Sequence, residues 1–151
     1  SGTMHAICKG ILLAEVQENS NTTYRIYDYG RLGKDGKPRE LHVDKAADVT
    51  KLCPPSLPDS SNREVEKFEN ATRTKLTSCN LFTMYELSVD GAYSSISDGD
   101  SFVSLLCLEG GADVECNGVK LTMKKGESIF IPANKGEFTV SGKVKILETR
   151  L

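Results

Sequence analysis

The chain has 151 residues, a formal charge of −2, 38% apolar and 26% charged residues. That length suits one ordinary domain, or a compact domain with part of another, and the apolar share is enough to bury a core and to exclude wholesale disorder. The weak acidic balance gives no electrostatic footprint for nucleic acid or for an anionic membrane surface, and no run of about 18 apolar residues is present to span a bilayer.

The first residues, Ser1-Gly2-Thr3-Met4-His5, place a histidine beside a glycine at the lip of a strand-like stretch. The first methionine is Met4, inside this motif, so either Ser1, with or without Gly2, is an added remnant or the whole chain starts mid-protein. Gly10 to Gln17 and Thr22 to Gly30 are rich in β-formers and are separated by a turn-prone Glu-Asn-Ser-Asn, which predicts two strands with a short connection. The charged, glycine-rich stretch from Arg31 to Leu41 reads as a solvated loop turning at Asp35-Gly36. Val43 to Leu52 predicts a short helix with Asp44 as its cap. Prolines stop it, and residues 53–73 are taken as a linker or crossover, with the run Ser61 to Asn70 as linker or polar helix face.

From Thr74 onward the pattern is purely β. Short strands are punctuated by Asp90-Gly91, Asp98-Gly99, Gly110-Gly111, Asn117-Gly118, Lys125-Gly126 and Ser141-Gly142, which predicts turns at each and a closed antiparallel barrel or sandwich. Gly126 and Pro132 bracket one strand in a G-x5-P spacing. With the flanking Leu108 to Val140 sequence, this resembles a cupin jelly roll. Cupin metal sites carry histidines in two motifs; here Gly136, Glu137 and Phe138 follow the proline, and no His-x-His occurs near Cys107 to Glu115. A metal-free barrel is expected.

The five cysteines form no CxxC pair and read as small buried hydrophobes in a reducing, cytoplasmic setting. Of the two histidines, His5 is the stronger candidate ligand; nothing in the spacing recommends a site built from His5, His42 and Glu15. Arg25 reads either as a surface arginine paired with Asp28 or as a guanidinium aimed at a phosphate or oxyanion, and spacing alone favours the first.

The segments "GTMHAICKGILLAEVQENSNTTYRIYDYGR", "GKDGKPRELHVDKAADV", "FTMYEL", "GDSFVSLLCLEGG" and "LTMKKGESIFIPA" resemble, in order and over essentially the whole chain, type I mannose-6-phosphate isomerases of the short bacterial kind. The resemblance implies a mainly β chain: the end of a catalytic cupin in residues 1–52, a linker in 53–73, and a C-terminal cupin-like domain without metal ligands in 74–151. It implies that His5 is the last ligand of a zinc ion and that Arg25 is catalytic in interconverting mannose 6-phosphate and fructose 6-phosphate. The family's other zinc ligands (glutamine, glutamate and histidine) and its catalytic lysine precede the segment matched here, so the 151 residues alone are expected to be inactive. Asn21 stands where relatives commonly carry aspartate. Residues 1–50, as strands of a larger barrel, are expected to recruit a second copy or exchange strands. The competing expectation is a non-catalytic cupin module that binds a sugar or a partner protein.

Overall fold

The computed structural model describes residues 2–17, 19–20, 22–53 and 63–151. It divides into two compact units, Ser1–Leu57 and Pro58–Leu151.

The first unit is mostly irregular. The two strands predicted for residues 10–17 and 22–30 are not formed. A β-former becomes a strand only when its backbone joins a ladder, and the described residues of these stretches pair with no strand. Their side chains stay outside: Ile11, Leu12, Tyr27 and Tyr29 are all exposed. The loop closes on itself through a Leu32–Pro38 bridge and a Gly33 N–H bond to the Lys37 carbonyl (2.7 Å). The predicted helix is present as α1 (Val43–Val49), but its cap position is His42, with Asp44 inside the first turn. Thr50 closes the other end, its hydroxyl donating to the Ala46 carbonyl at 2.6 Å.

The second unit is one antiparallel sheet: β1 (Val65–Lys67), β2 (Ala71–Ser78), β3 (Thr83–Ser97), β4 (Val103–Cys116), β5 (Val119–Lys124), β6 (Ser128–Ile131) and β7 (Gly136–Arg150). The order is β1-β2-β3-β7-β4-β5, with β6 on the first half of β4. The mainly β jelly-roll expectation holds, with three corrections.

First, strand structure begins at Val65, inside the stretch read as linker. Glu66 pairs with Arg73 in the β1–β2 ladder, and such a polar edge strand carries no apolar alternation to betray it. The rest of the linker reading, residues 54–62, lies outside the described residues.

Second, three of the predicted turns are not turns. Gly91, Gly110-Gly111 and Gly142 lie in the middle of β3, β4 and β7, where Gly91 pairs with Gly142 and Ala112 pairs with Gly142 on the other side. A Cβ on Gly110 would stand 2.2 Å from the Lys143 carbonyl oxygen, and its φ is +75°. This row of glycines lets three paired strands bend together, so the sheet rolls over without interrupting its ladders. Six apparent short strands are therefore three long ones. Asn117-Gly118, by contrast, is the tight β4–β5 hairpin, with Asn117 at φ +51°.

Third, the pairing path has two ends, β1 and β5, so the sheet is rolled rather than closed by hydrogen bonds. Leu87, Val89, Val103, Leu105, Met123, Phe138, Val140 and Ile146 fill its interior. Each such side chain contributes about 1.5–3 kcal/mol when removed from water.

The cysteine reading also needs correction. All five are free thiols, but only Cys107 is buried; Cys8, Cys53 and Cys79 are exposed and Cys116 is intermediate. Among the described residues no helix is long and apolar enough to cross a membrane.

Candidate functional site

The two candidate residues of the first unit sit on segments tied to opposite ends of α1. At its C-terminal end, the Lys51 N–H donates to the Gly2 carbonyl at 2.8 Å. Gly2 has φ +86°, and a Cβ there would meet the Val49 carbonyl oxygen at 3.0 Å, so only glycine fits this approach without strain. That anchors the segment leading to His5. His5 is exposed, and its Nδ1 lies 3.2 Å from the Thr3 carbonyl. A carbonyl can only accept, so Nδ1 is the donor in this contact, and in the neutral ring that leaves the lone pair on Nε2. Metal-bound histidines commonly hold their second nitrogen in this way.

At the N-terminal end of α1, the His42 N–H donates to the Arg25 carbonyl (2.6 Å), and the Arg25 N–H donates to His42 Nδ1 (3.2 Å). The Arg25 guanidinium donates through Nη1 to the Glu40 carbonyl at 3.1 Å. The Arg25–Asp28 pair suggested by spacing is present only as a loose contact of 3.9 Å. Both Asp28 oxygens accept instead from Arg39, which the closed loop carries back beside them. Those hydrogen bonds outweigh the opposing effect of burial and hold the Asp28 carboxyl below its ordinary range. Arg25 thus stands outside that hydrogen-bonded pair, within salt-bridge distance of Asp28 but not bonded to it.

His5 and Arg25 therefore share one short scaffold, whereas no geometry gathers His5, His42 and Glu15. Among the described residues, no group of three His, Cys, Asp or Glu side chains is arranged to hold a metal ion. The described residues do not by themselves fit zinc, because one imidazole leaves the ion mostly solvated. Asn21 lies outside the described residues. Sequence reasoning weighed His42 as a ligand without its link to Arg25, and did not single out Arg39. Their signal, a charged loop returning toward "TTYRIYD", became readable only once the loop's closure was known.

The second unit holds two further features. Glu148, fully buried, accepts from Arg73 at 3.2 and 3.0 Å and from Arg150 at 2.5 Å. Burial works against the Arg73 charge, but Glu148 more than compensates and holds its pKa above the ordinary value. Arg150 bonds Glu148, the Ile96 carbonyl and Ser95, so the cluster satisfies itself. A pocket of about 250 Å³ lies between β4, β5 and β6, lined mainly by Val114, Val119, Leu121, Ile129 and Pro132, with Lys135 at its margin. It offers shape and apolar contact rather than acid–base chemistry.

Residues 72–150 match the family model for the mannose-6-phosphate isomerase cupin domain. The chain is 35% identical over all of its 151 residues to mannose-6-phosphate isomerase ManA of Bacillus subtilis, covering 47% of that protein. It is 33% identical over 147 residues, 97% of its length, to the probable mannose-6-phosphate isomerase GmuF of the same organism, covering 46% of it. The crystal structure of the Bacillus subtilis mannose 6-phosphate isomerase superposes with a TM-score of 0.74 at 27% identity, over 88% of this chain and 41% of that one. The chain thus spans about half the length of the curated relatives it matches.

Proposed function

This chain belongs to the mannose-6-phosphate isomerase family, and from that premise we propose that it is the C-terminal portion of such an enzyme, interconverting mannose 6-phosphate and fructose 6-phosphate. In this reading the hexose phosphate meets Arg25, and His5 contributes one ligand to a zinc ion whose remaining ligands come from polypeptide outside these 151 residues. The observation that carries the reading is the joint anchoring of the His5 and Arg25 segments to the two ends of α1.

Aldose–ketose interconversion moves a proton between neighbouring carbons through an enediol, and negative charge grows on a sugar oxygen as it does so. A guanidinium held by the Glu40 carbonyl, with its nearest carboxylate bonded by another arginine, suits stabilising that charge. It needs no reorganisation when the charge appears. Zinc in the complete enzyme supplies Lewis acidity toward the sugar oxygens. The base that moves the proton is not among the residues assigned here.

A coupled isomerase assay on the purified chain with added zinc tests the incompleteness of the site. No turnover is expected, and appreciable zinc-dependent turnover by a monomer overturns it. Reading the gene upstream of Gly2 tests the parentage: an in-frame cupin segment with a glutamine–histidine motif supports it, and a stop codon directly upstream overturns it. The competing reading, a non-catalytic cupin module for a sugar or a partner protein, is favoured by the pocket beside β5 and would then take its place. A cytoplasmic location is proposed on the five free thiols, which suit a reducing compartment.

A further inference from the structure

We propose that His42 is the positioning residue for Arg25. The proposal rests on the reading of Arg25 as the charge-stabilising group of the isomerase site.

The two residues are seventeen apart in sequence and hold each other's backbone at two points. The His42 N–H reaches the Arg25 carbonyl, and the His42 ring receives the Arg25 N–H. The second bond forms only when Nδ1 carries a lone pair. His42 is then the tautomer with its proton on Nε2, which faces the Glu40 carboxylate at 3.6 Å. At the cap position of α1 this side chain makes no hydrogen bond to the helix. Its ring is used on Arg25 instead.

The stretch just before His42 also holds the far end of the arginine, because Nη1 donates to the Glu40 carbonyl. Backbone and guanidinium are thereby fixed by one short stretch, residues 40–42. The geometry shows what this prevents. Asp28 lies three residues on, and its Oδ1 is 3.9 Å from Arg25 Nε. An arginine free to shift toward it would join Arg39 on that carboxylate and lose its charge to a local pair. Held back, it keeps its donors for a ligand oxygen.

The test uses the full 151-residue chain. Nitrogen NMR should find His42 Nδ1 unprotonated and coupled through a hydrogen bond to the Arg25 amide. Mannose 6-phosphate, followed by the Arg25 side-chain signals, is the binding probe. His42→Asn keeps an acceptor near the place of Nδ1, whereas His42→Gln moves its amide one carbon further out. H42Q is expected to lose the signature and weaken binding about tenfold, a change of about 1.4 kcal/mol, while H42N stays within about threefold of the parent. A missing coupling in the parent chain overturns the proposal whether or not any variant folds. So does H42Q binding like the parent while R25Q is weakened. An R25Q variant that binds like the parent overturns the role given to Arg25 and the proposal with it, even where the coupling is seen; where the parent binds no sugar phosphate, the coupling decides, supporting the positioning when seen and overturning it when missing.

Discussion

Arg73 and Glu148 lie 3.0 Å apart inside the rolled sheet, the carboxylate fully buried and the guanidinium 3.4 Å from the centre of the Tyr85 ring. With Arg150 on the other side, they place a charged cluster where an all-apolar core would otherwise continue. Removing one partner leaves an uncompensated buried charge. Glu148→Leu should therefore lower stability by about 3–5 kcal/mol in urea unfolding. Replacing Arg73, Glu148 and Arg150 together by Met, Leu and Met should recover most of that loss. A single-variant loss below about 1 kcal/mol would show that water reaches the cluster.

The glycine row makes a sharper prediction, because two glycines of similar φ differ in surroundings. Gly110 (φ +75°) faces the Lys143 carbonyl oxygen at 2.2 Å from an added Cβ, while Gly126 (φ +86°) has nothing within 4 Å. Gly126→Ala should cost about 1–2 kcal/mol, the conformational term alone. Gly110→Ala should cost clearly more and broaden the unfolding transition, since the strand bend must open. Equal losses in thermal unfolding would remove the bend from its place in the fold.

Asp28 links the first unit to pH. Its carboxyl is held below the ordinary value by the hydrogen bonds from Arg39, against the effect of burial. A depressed carboxyl contributes stability that is complete above its unfolded pKa, about 3.9, and is lost as pH falls through the lower folded value. Carbon NMR of the carboxyl groups should show Asp28 titrating below the exposed aspartates. In Asp28→Asn the corresponding acid-linked loss of structure around residues 28–39 should vanish. Asp113, lowered by hydrogen bonds from Lys120 and Thr122, provides the same signature in the second unit.

Thiol labelling reads burial directly. Cys8, Cys53 and Cys79 are exposed, and burial raises the pKa of Cys107. Three thiols should react quickly with an aromatic disulfide, Cys116 more slowly, and Cys107 only on unfolding. Fast reaction of all five would place Cys107 outside the core.

The exposed apolar side chains of the first unit, among them Leu12 at 91% exposure, bear on association. Together with backbone that lacks strand partners, they should drive self-association through residues 1–50. Gel filtration is expected to show dimers or larger species, and a clean monomer across micromolar concentrations would count against this.

The second unit was largely legible in the sequence because its apolar alternation repeats over many residues. Val103 and Leu105 on β4, and Phe138 and Val140 on β7, all fall on the interior as the period of two requires. Where reading failed, it failed for stated causes. Asp90-Gly91 and Ser141-Gly142 carry the same residues as true turns, and only their pairing across β3 and β7 makes them bends. The stretches 10–17 and 22–30 have the composition of strands, but composition cannot supply a partner.

At the candidate site, residue types alone singled out His5 and raised two readings of Arg25, and the family resemblance linked them. The Asp28 carboxylate goes to Arg39 because the loop closing through Leu32 and Pro38 returns that arginine beside it. Sequence determined the local material: β-formers with period two, a short helix after the charged loop, and a chain with one stronger ligand histidine. Tertiary structure alone decided that His42 grips Arg25 and that glycines bend strands rather than end them, because both depend on contacts between residues far apart in the chain, which local propensity does not encode.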